Sequence, residues 1–257
     1  MTVPQPDVPR SSVRAAFFDV DNTLVQGSSL YLIGRGLLAS KMVSRRDLVR
    51  YGLVQAQFRL RGENLSHLQD AQSKALSLGA GLVVDDVVAL SRQLYQQRVA
   101  PRLWPQTLEL TRRHLAAGHE VWLVSAAPVE LVQIIADALG LTGGLGTRSE
   151  VAAGRWTGQL LSPILHGQAK AQAVQDLANL RSIDLLHSDA YSDSIHDVHL
   201  LTAVGHPHAV NPERRLAHLA HDNGWPVHQF RAGGHNTRRP QRLRLPQRRN
   251  NASARLR

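Results

Sequence analysis

The 257-residue chain contains no cysteine, which excludes disulfide scaffolds, thiol nucleophiles and zinc–thiolate centres. Long apolar runs are also missing. The best stretch, Val121 to Leu141, is interrupted by Pro128, Glu130, Gln133 and Asp137 and falls short of the roughly 18 uninterrupted apolar residues a spanning helix needs. Met1 to Arg10 has no apolar segment of the secretory type, so a soluble, cytoplasmic protein with no stable membrane insertion is expected. Lysine is nearly absent, at three residues against 27 arginines. Arginine is therefore the default cation of this chain, and a lysine at a chemically suggestive position stands out.

What is present is a globular composition, 43% hydrophobic over 257 residues, enough for one large domain or a core plus an inserted module. The net charge of +10 belongs to one end. Residues 231–257 hold nine arginines and no acid, leaving 21 basic and 20 acidic residues in 1–230, a net +1.

Residues 1–12, rich in proline and serine, read as a disordered leader. Val13 to Phe18 is the first strand, with the apolar run Ala15-Ala16-Phe17-Phe18 at its end. From Ser28 to about Ala100 the pattern is helical without strands. Ser44 with Asp47 resembles a capping box, and Val87, Leu90 and Leu94 lie on one helical face. An alternating pattern then resumes. Pro105 starts a helix and Gly118 stops it; Glu120 to Val124 is a strand. Leu131, Ile134, Ile135, Ala138 and Leu139 form a helix closed by Gly140. Arg148 to Leu161 is a hairpin turning at Ala153-Gly154-Arg155. Ala173, Val174, Leu177 and Leu180 mark a helix, and Leu185 to Tyr191 a strand. A last helix spans Pro212 to Asn223 and a last strand Val227 to Phe230. This order predicts an α/β fold: a parallel sheet with helices on both faces, residues 13–27 plus 101–230 forming the core and 28–100 an inserted all-helical cap.

Four islands carry chemistry. In Phe17-Phe18-Asp19-Val20-Asp21-Asn22-Thr23 the two carboxylates are two residues apart, so a strand would project both from one face at the edge where open parallel sheets bind ligands. One carboxylate can attack phosphorus while the other handles the leaving-group proton; an ordinary solvated pair at a strand end is the plainer alternative. Ser125 ends the strand of Glu120 to Val124, where a hydroxyl and the N-terminus of the next helix suit a phosphoryl oxygen, or where it simply caps that helix. Lys170 offers a compact positive charge to Asp19 and a phosphoryl group, or is a surface lysine. Asp193 and Asp197 flank Ser194-Ile195-His196 after the strand ending at Tyr191. They supply hard oxygen donors of the kind Mg²⁺ takes, or complement a helix dipole.

Asp19-Val20-Asp21-Asn22-Thr23, Ser125, Lys170 and the Asp193/Asp197 pair resemble, in order and approximate spacing, the four motifs of the haloacid dehalogenase-like hydrolases, in the branch containing the phosphoserine phosphatases. The likeness covers about residues 13–230. It implies a Rossmann-like core and an Mg²⁺-dependent phosphomonoester hydrolase acting on a small phosphorylated metabolite. Asp19 is then the nucleophile, forming an aspartyl-phosphate, and Asp21 the general acid and base. Ser125 and Lys170 hold the phosphate. Asp19, the Asp21 carbonyl and Asp193 would be the metal ligands, with Asp197 acting from behind them. One departure concerns the substrate. Phosphoserine phosphatases usually carry a Glu nine residues after the nucleophile to hold the substrate ammonium, and here that position is Ser28.

The thirteen histidines include His196/His199 and His206/His208 at tempting spacings, but no compact ligand set is evident; His196, between the two acids, is the one nearest to function. The arginine-rich tail is read as a disordered extension, with nucleic acid or anionic lipid as its electrostatic alternatives. The competing reading of the whole chain is a regulatory protein, developmental or nucleic-acid-associated, that retains this fold.

Overall fold

The computed structural model describes residues 13–40 and 79–230. Among these residues the strands are β1 (Ala15–Asp19), β2 (Glu120–Pro128), β3 (Gly143–Thr147), β4 (Ser149–Ala152), β5 (Arg155–Leu160), β6 (Asp189–Ser192), β7 (His206–Val210) and β8 (Val227–His228). Six of them form one parallel sheet in the order β3-β2-β1-β6-β7-β8. The chain enters at β1, builds outward to β2 and β3, and then crosses to β6 on the other side. The strand order thus reverses at β1, and such a switch point opens a crevice at the carboxyl ends of its strands.

β1 occupies the middle because Ala15-Ala16-Phe17-Phe18 carries no polar side chain, as a strand covered on both faces requires. All five of its residues are buried. Phe18 and Ala16 join one layer with Leu123, Leu131, Ile135 and Tyr191. Phe17 and Ala15 join the opposite layer with Val124, Val174, Leu200 and Leu216. Each phenylalanine contributes about 1.5–3 kcal/mol through burial. The helices are α1 (Ser29–Ala39), α2 (Val84–Leu94), α3 (Pro105–Ala116), α4 (Val129–Ala138), α5 (Gln168–Arg181), α6 (Val198–Thr202) and α7 (Arg214–Asp222). The first layer takes in α1, α2, α3 and α4, the second α5, α6 and α7, so helices cover both faces as expected. α2 runs on through a π-helical turn, Tyr95–Val99, into a 3₁₀ turn, Ala100–Arg102. None of the described helices is long and apolar enough to cross a membrane.

The expected hairpin is β4–β5, antiparallel, with Ala153 and Gly154 both at positive φ (49° and 72°) in its turn, the conformation a two-residue hairpin favours. Several boundaries differ from the expectation. Leu185–His187 is a 3₁₀ turn, not strand, because the Asp184 side chain accepts from the backbone N–H groups of Leu186 and His187; the strand is Asp189–Ser192 and continues past Tyr191. Leu180 is 84% exposed and does not belong to the buried face of α5, which Val174 and Ala178 form. The last strand stops at His228. The Ser44/Asp47 capping box, the leader 1–12 and the tail 231–257 lie outside the described residues.

β3 has no counterpart in the sequence reading, since Gly143-Gly144-Leu145-Gly146 argues against a strand. Its glycines are required by proximity. A Cβ at Gly144 would fall 2.7 Å from Val132 Cγ1, and one at Gly146 would fall 2.6 Å from Val129 Cα and 2.8 Å from the Ala127 carbonyl oxygen. The start of α4 presses directly on this strand. Gly146→Ala is therefore expected to destabilise the fold by about 1–3 kcal/mol, the usual range for overpacking, because backbone rather than a flexible side chain blocks the methyl group. Urea denaturation followed by circular dichroism measures this, and an unchanged midpoint would contradict the close approach.

Candidate active site

The carboxyl ends of β1, β2 and β6 bring three of the four sequence islands together, and α5 delivers the remaining one. Asp19 is the last residue of β1 and only 7% exposed. Lys170, in the first turn of α5 and 4% exposed, donates through Nζ to Asp19 Oδ1 at 2.5 Å and to Asp197 Oδ2 at 2.8 Å. The alternative of a surface lysine is thereby excluded. Asp197 is itself buried and accepts at the same Oδ2 from Ser192 Oγ at 2.7 Å. It therefore positions the ammonium between itself and Asp19. α5 reaches this point through Gly167, whose φ of 57° and ψ of −125° suit glycine.

Asp193 follows β6, its Oδ1 accepting from Thr23 Oγ1 at 3.4 Å. Thr23 is fully buried, and its carbonyl accepts from Thr107 Oγ1 of α3. Ser192 Oγ also accepts from the Ser194 N–H at 3.2 Å, which shapes the turn carrying Asp193.

Asp21 reaches the site by a different route from the one its spacing suggests. β1 ends at Asp19, so strand alternation does not orient Asp21. The chain turns instead, with Asn22 at φ 60° and its Oδ1 accepting from the Gly27 N–H. The Asp21 carboxylate is then held by the start of α1: Oδ1 accepts from the Ser29 N–H at 2.9 Å and from Ser29 Oγ at 2.6 Å. That leaves Oδ2 without either of those bonds. Ser125 lies inside β2, which runs on to Pro128, rather than after the strand. Val124 pairs in register with Asp19, placing Ser125 one residue further toward the crevice on the neighbouring strand, about 5 Å across the sheet. Its buried Oγ accepts from the Ala127 N–H at 3.2 Å, and α4 starts three residues after Ala126 with Pro128 as its N-cap residue.

The electrostatics follow from crowding. Burial, reinforced by Asp197 and Asp193, pushes the Asp19 carboxyl up to about 8 although Lys170 pulls it down. Burial and the Asp197 charge push Asp193 up to about 6. Burial also works against the Lys170 ammonium, but its two carboxylate partners outweigh burial and raise its pKa. Three carboxylates thus crowd around one ammonium. Their surplus negative charge and all-oxygen donor set fit a hard divalent cation of the Mg²⁺ type, which the Asp19 and Asp193 carboxylates could hold.

Sequence reasoning missed Ser29 and Ser192, which orient Asp21 and Asp197, and His166. The His166 ring packs edge-on against His196 at 5.1 Å, and burial together with Lys170 lowers its pKa. A serine at a helix start or strand end has no pattern of its own. His196 was singled out from its position alone, and only the fold supplies its partner.

Comparison with known proteins agrees with this geometry. The family of haloacid dehalogenase-like hydrolases matches residues 16–202. A relative from Mycobacterium tuberculosis, the phosphoserine phosphatase SerB1, is 47% identical over 218 residues, covering 84% of this chain and 71% of that protein. The inhibition of morphological differentiation protein of Streptomyces azureus is 32% identical over 217 residues, covering 84% and 78%. Among solved structures, a Bordetella pertussis protein of unknown function superimposes with a TM-score of 0.76 at 27% identity, covering 85% of this chain and 99% of that one. The chain belongs to the haloacid dehalogenase-like hydrolases, and within them to the phosphatase branch.

Proposed function

We propose that the protein is an Mg²⁺-dependent phosphomonoester hydrolase that passes the phosphoryl group through Asp19 to water. The observation carrying this reading is the buried Asp19 at the switch point, paired with Lys170 and backed by Asp197. A carboxylate so placed can attack phosphorus, expelling an alkoxide that Asp21 protonates through its free oxygen. Asp21 then takes a proton from the water that attacks the aspartyl-phosphate. Lys170 and Ser125 face the transferring oxygens, where fixed donors stabilise developing charge. Mg²⁺ would supply further charge neutralisation at the phosphoryl oxygens. In this reading 28–100 is the cap and 13–27 with 101–230 the catalytic core; α1 and α2, near the two ends of the cap segment, share the first layer with β1.

The substrate is a small phosphorylated metabolite. The 47% identical relative is named a phosphoserine phosphatase, which makes phosphoserine the first compound to test. Ser28 argues for a different or broader choice. It is neutral, and its Oγ accepts from the Tyr31 N–H as the N-cap of α1, so it brings no charge to a substrate ammonium. The relative from Streptomyces carries a regulatory name, but Asp19, Asp21, Lys170 and Asp193 are all in place, which favours an active enzyme. Hydrolysis of a panel of phosphomonoesters, phosphoserine among them, with and without Mg²⁺ tests the reading. Release of phosphate from none of them in Mg²⁺ would overturn it.

Metal dependence has a second readout, in stability. Asp19 and Asp193 have folded-state pKa values raised to about 8 and about 6. The folded protein without metal therefore holds protons that the unfolded chain has lost, and this contribution falls as pH rises from about 4 toward 8. A divalent cation needs the deprotonated carboxylates. Its stabilisation should thus grow over the same window, so Mg²⁺ is expected to raise the melting temperature more at pH 8 than at pH 5. Equal shifts at both pH values would show that the ion is not held by these carboxylates.

A further inference from the structure

Away from the crevice, a second group of titratable side chains gathers at the opposite end of β6. The histidine pairs tempting in the sequence, His196/His199 and His206/His208, assemble no three-donor group among the described residues. His114, His119 and Asp189 do, each half-buried, with one donor atom apiece all within 4.8 Å of one another. His114 is in the last turn of α3, His119 in the loop to β2, and Asp189 opens β6. We propose that these three side chains form a binding site for a divalent transition metal of the zinc class, distinct from the catalytic carboxylates.

The geometry of the nitrogens is the main argument. His114 Nδ1 and His119 Nδ1 face each other at 3.0 Å. Two lone pairs cannot meet at that distance, so either one proton or one metal ion lies between them. Ligand atoms on one tetrahedral zinc stand about 3.3 Å apart, given Zn–N bonds of about 2.0–2.1 Å, which the pair meets with a small adjustment. Asp189 Oδ2 is 3.9 Å from His114 Nδ1, also within the span of two ligands on one ion. Two imidazoles and a carboxylate with an open fourth position are a donor set that zinc takes and that Mg²⁺, with its preference for oxygen, does not.

The groups behind these donors are those a metal site uses to aim its ligands. The far nitrogen of His114, Nε2, bonds Tyr191 OH at 2.9 Å. The other oxygen of Asp189, Oδ1, meets His208 Nε2 at 3.0 Å, and His208 Nδ1 meets His228 Nε2 at 3.2 Å. His208 and Phe18 sandwich the Tyr191 ring, with centroids at 4.4 and 4.3 Å, which anchors the network to the core. Asp193 lies four residues beyond Asp189, roughly 13 Å along an extended chain, so an ion here does not touch the reaction. It would instead tie the end of α3 and the loop before β2 to the start of β6.

The test uses the untagged full chain, stripped with chelator and held in saturating Mg²⁺. Zn²⁺ is titrated by calorimetry, and Co²⁺ is used as a spectroscopic substitute. One equivalent of Zn²⁺ is expected to bind and raise the melting temperature, with Co²⁺ giving the intense visible band of a tetrahedral nitrogen-containing site. His119→Gln and Asp189→Asn, which keep side-chain size, should each weaken Zn²⁺ binding at least about tenfold, since even the groups behind a ligand are worth about 10–100-fold. Far-UV circular dichroism confirms that both variants are folded, and the half-exposed His119 in its loop makes the first of them the safer. Zn²⁺ bound equally well by both folded variants would overturn the proposal. So would Zn²⁺ binding lost in Asp193→Asn but kept in His119→Gln, which would place the ion in the catalytic crevice. Absence of any saturable Zn²⁺ uptake would leave an ordinary proton-bridged histidine pair and would equally overturn it.

Discussion

Asp19→Asn is expected to lower phosphomonoester turnover by at least about 10⁴-fold, on the scale seen when a covalent nucleophile is removed, with the fold unchanged. The amide cannot attack phosphorus, yet its Oδ1 can still accept from Lys170 Nζ, as the carboxylate does at 2.5 Å. Stability should not suffer, because burial already disfavours the Asp19 charge, whose pKa is pushed up to about 8. Lys170 also keeps Asp197 as its ionic partner at 2.8 Å. Removing one charge of a buried pair is costly when it strands the other, and here the ammonium is not stranded, because Asp197 remains beside it. The expected result is a protein that melts at or above the wild-type temperature and releases essentially no phosphate. Mass spectrometry of a fresh preparation must show that the amide has not reverted to Asp by deamidation. Wild-type turnover in such a preparation would remove Asp19 from the mechanism.

Asp21→Asn is expected to reduce kcat by about 10²–10⁴-fold, the usual contribution of a general acid–base group, and to do so unevenly across substrates. The Asn side chain can keep its oxygen on the Ser29 N–H and hydroxyl, which hold Asp21 at 2.9 and 2.6 Å. The variant therefore changes the ability to carry a proton more than the position of the group. Alkyl phosphates leave as strongly basic alkoxides that need the proton, whereas nitrophenyl phosphate leaves without one. In single-turnover measurements of the phosphorylation step, the alkyl ester should lose far more rate than the nitrophenyl ester. Equal losses on both, with phosphorylation limiting in each case, would contradict the assignment of Asp21 as the acid.

Much of the candidate site is legible in the sequence, and the reason is local. Asp19 closes the apolar run Ala15-Ala16-Phe17-Phe18, Asp193 and Asp197 come just after a second strand, and Lys170 begins a helix and is one of three lysines in the chain. Each sits at the end of an element, where the periodicity of the element itself reveals the position. The strand argument nevertheless failed for Asp21, because β1 ends two residues earlier and a capping-type interaction with Ser29 replaces alternation. β3 was illegible for a related reason. Its glycines are there because α4 presses on them, a demand made by a neighbour and invisible in local propensity. The exposed Leu180 shows the converse, an apolar residue in helical register with the buried face that the turn of α5 leaves in solvent.

By itself, the sequence determined the α/β alternation, the apolar central strand and the identity of the acids and the lysine at the strand and helix ends, because these depend on periodicity and composition along short stretches of chain. Only the tertiary structure decided which of these groups meet. Lys170 is 151 residues from Asp19 and 27 from Asp197, and Ser29 reaches Asp21 through a turn that no periodicity announces. The histidine group is the clearest case. His114 and His119 are five residues apart and Asp189 seventy further on, and nothing but the packing of α3 against the sheet brings their donor atoms together. Side-chain convergence across a sheet is set by strand order and register, and those are properties of the folded chain as a whole.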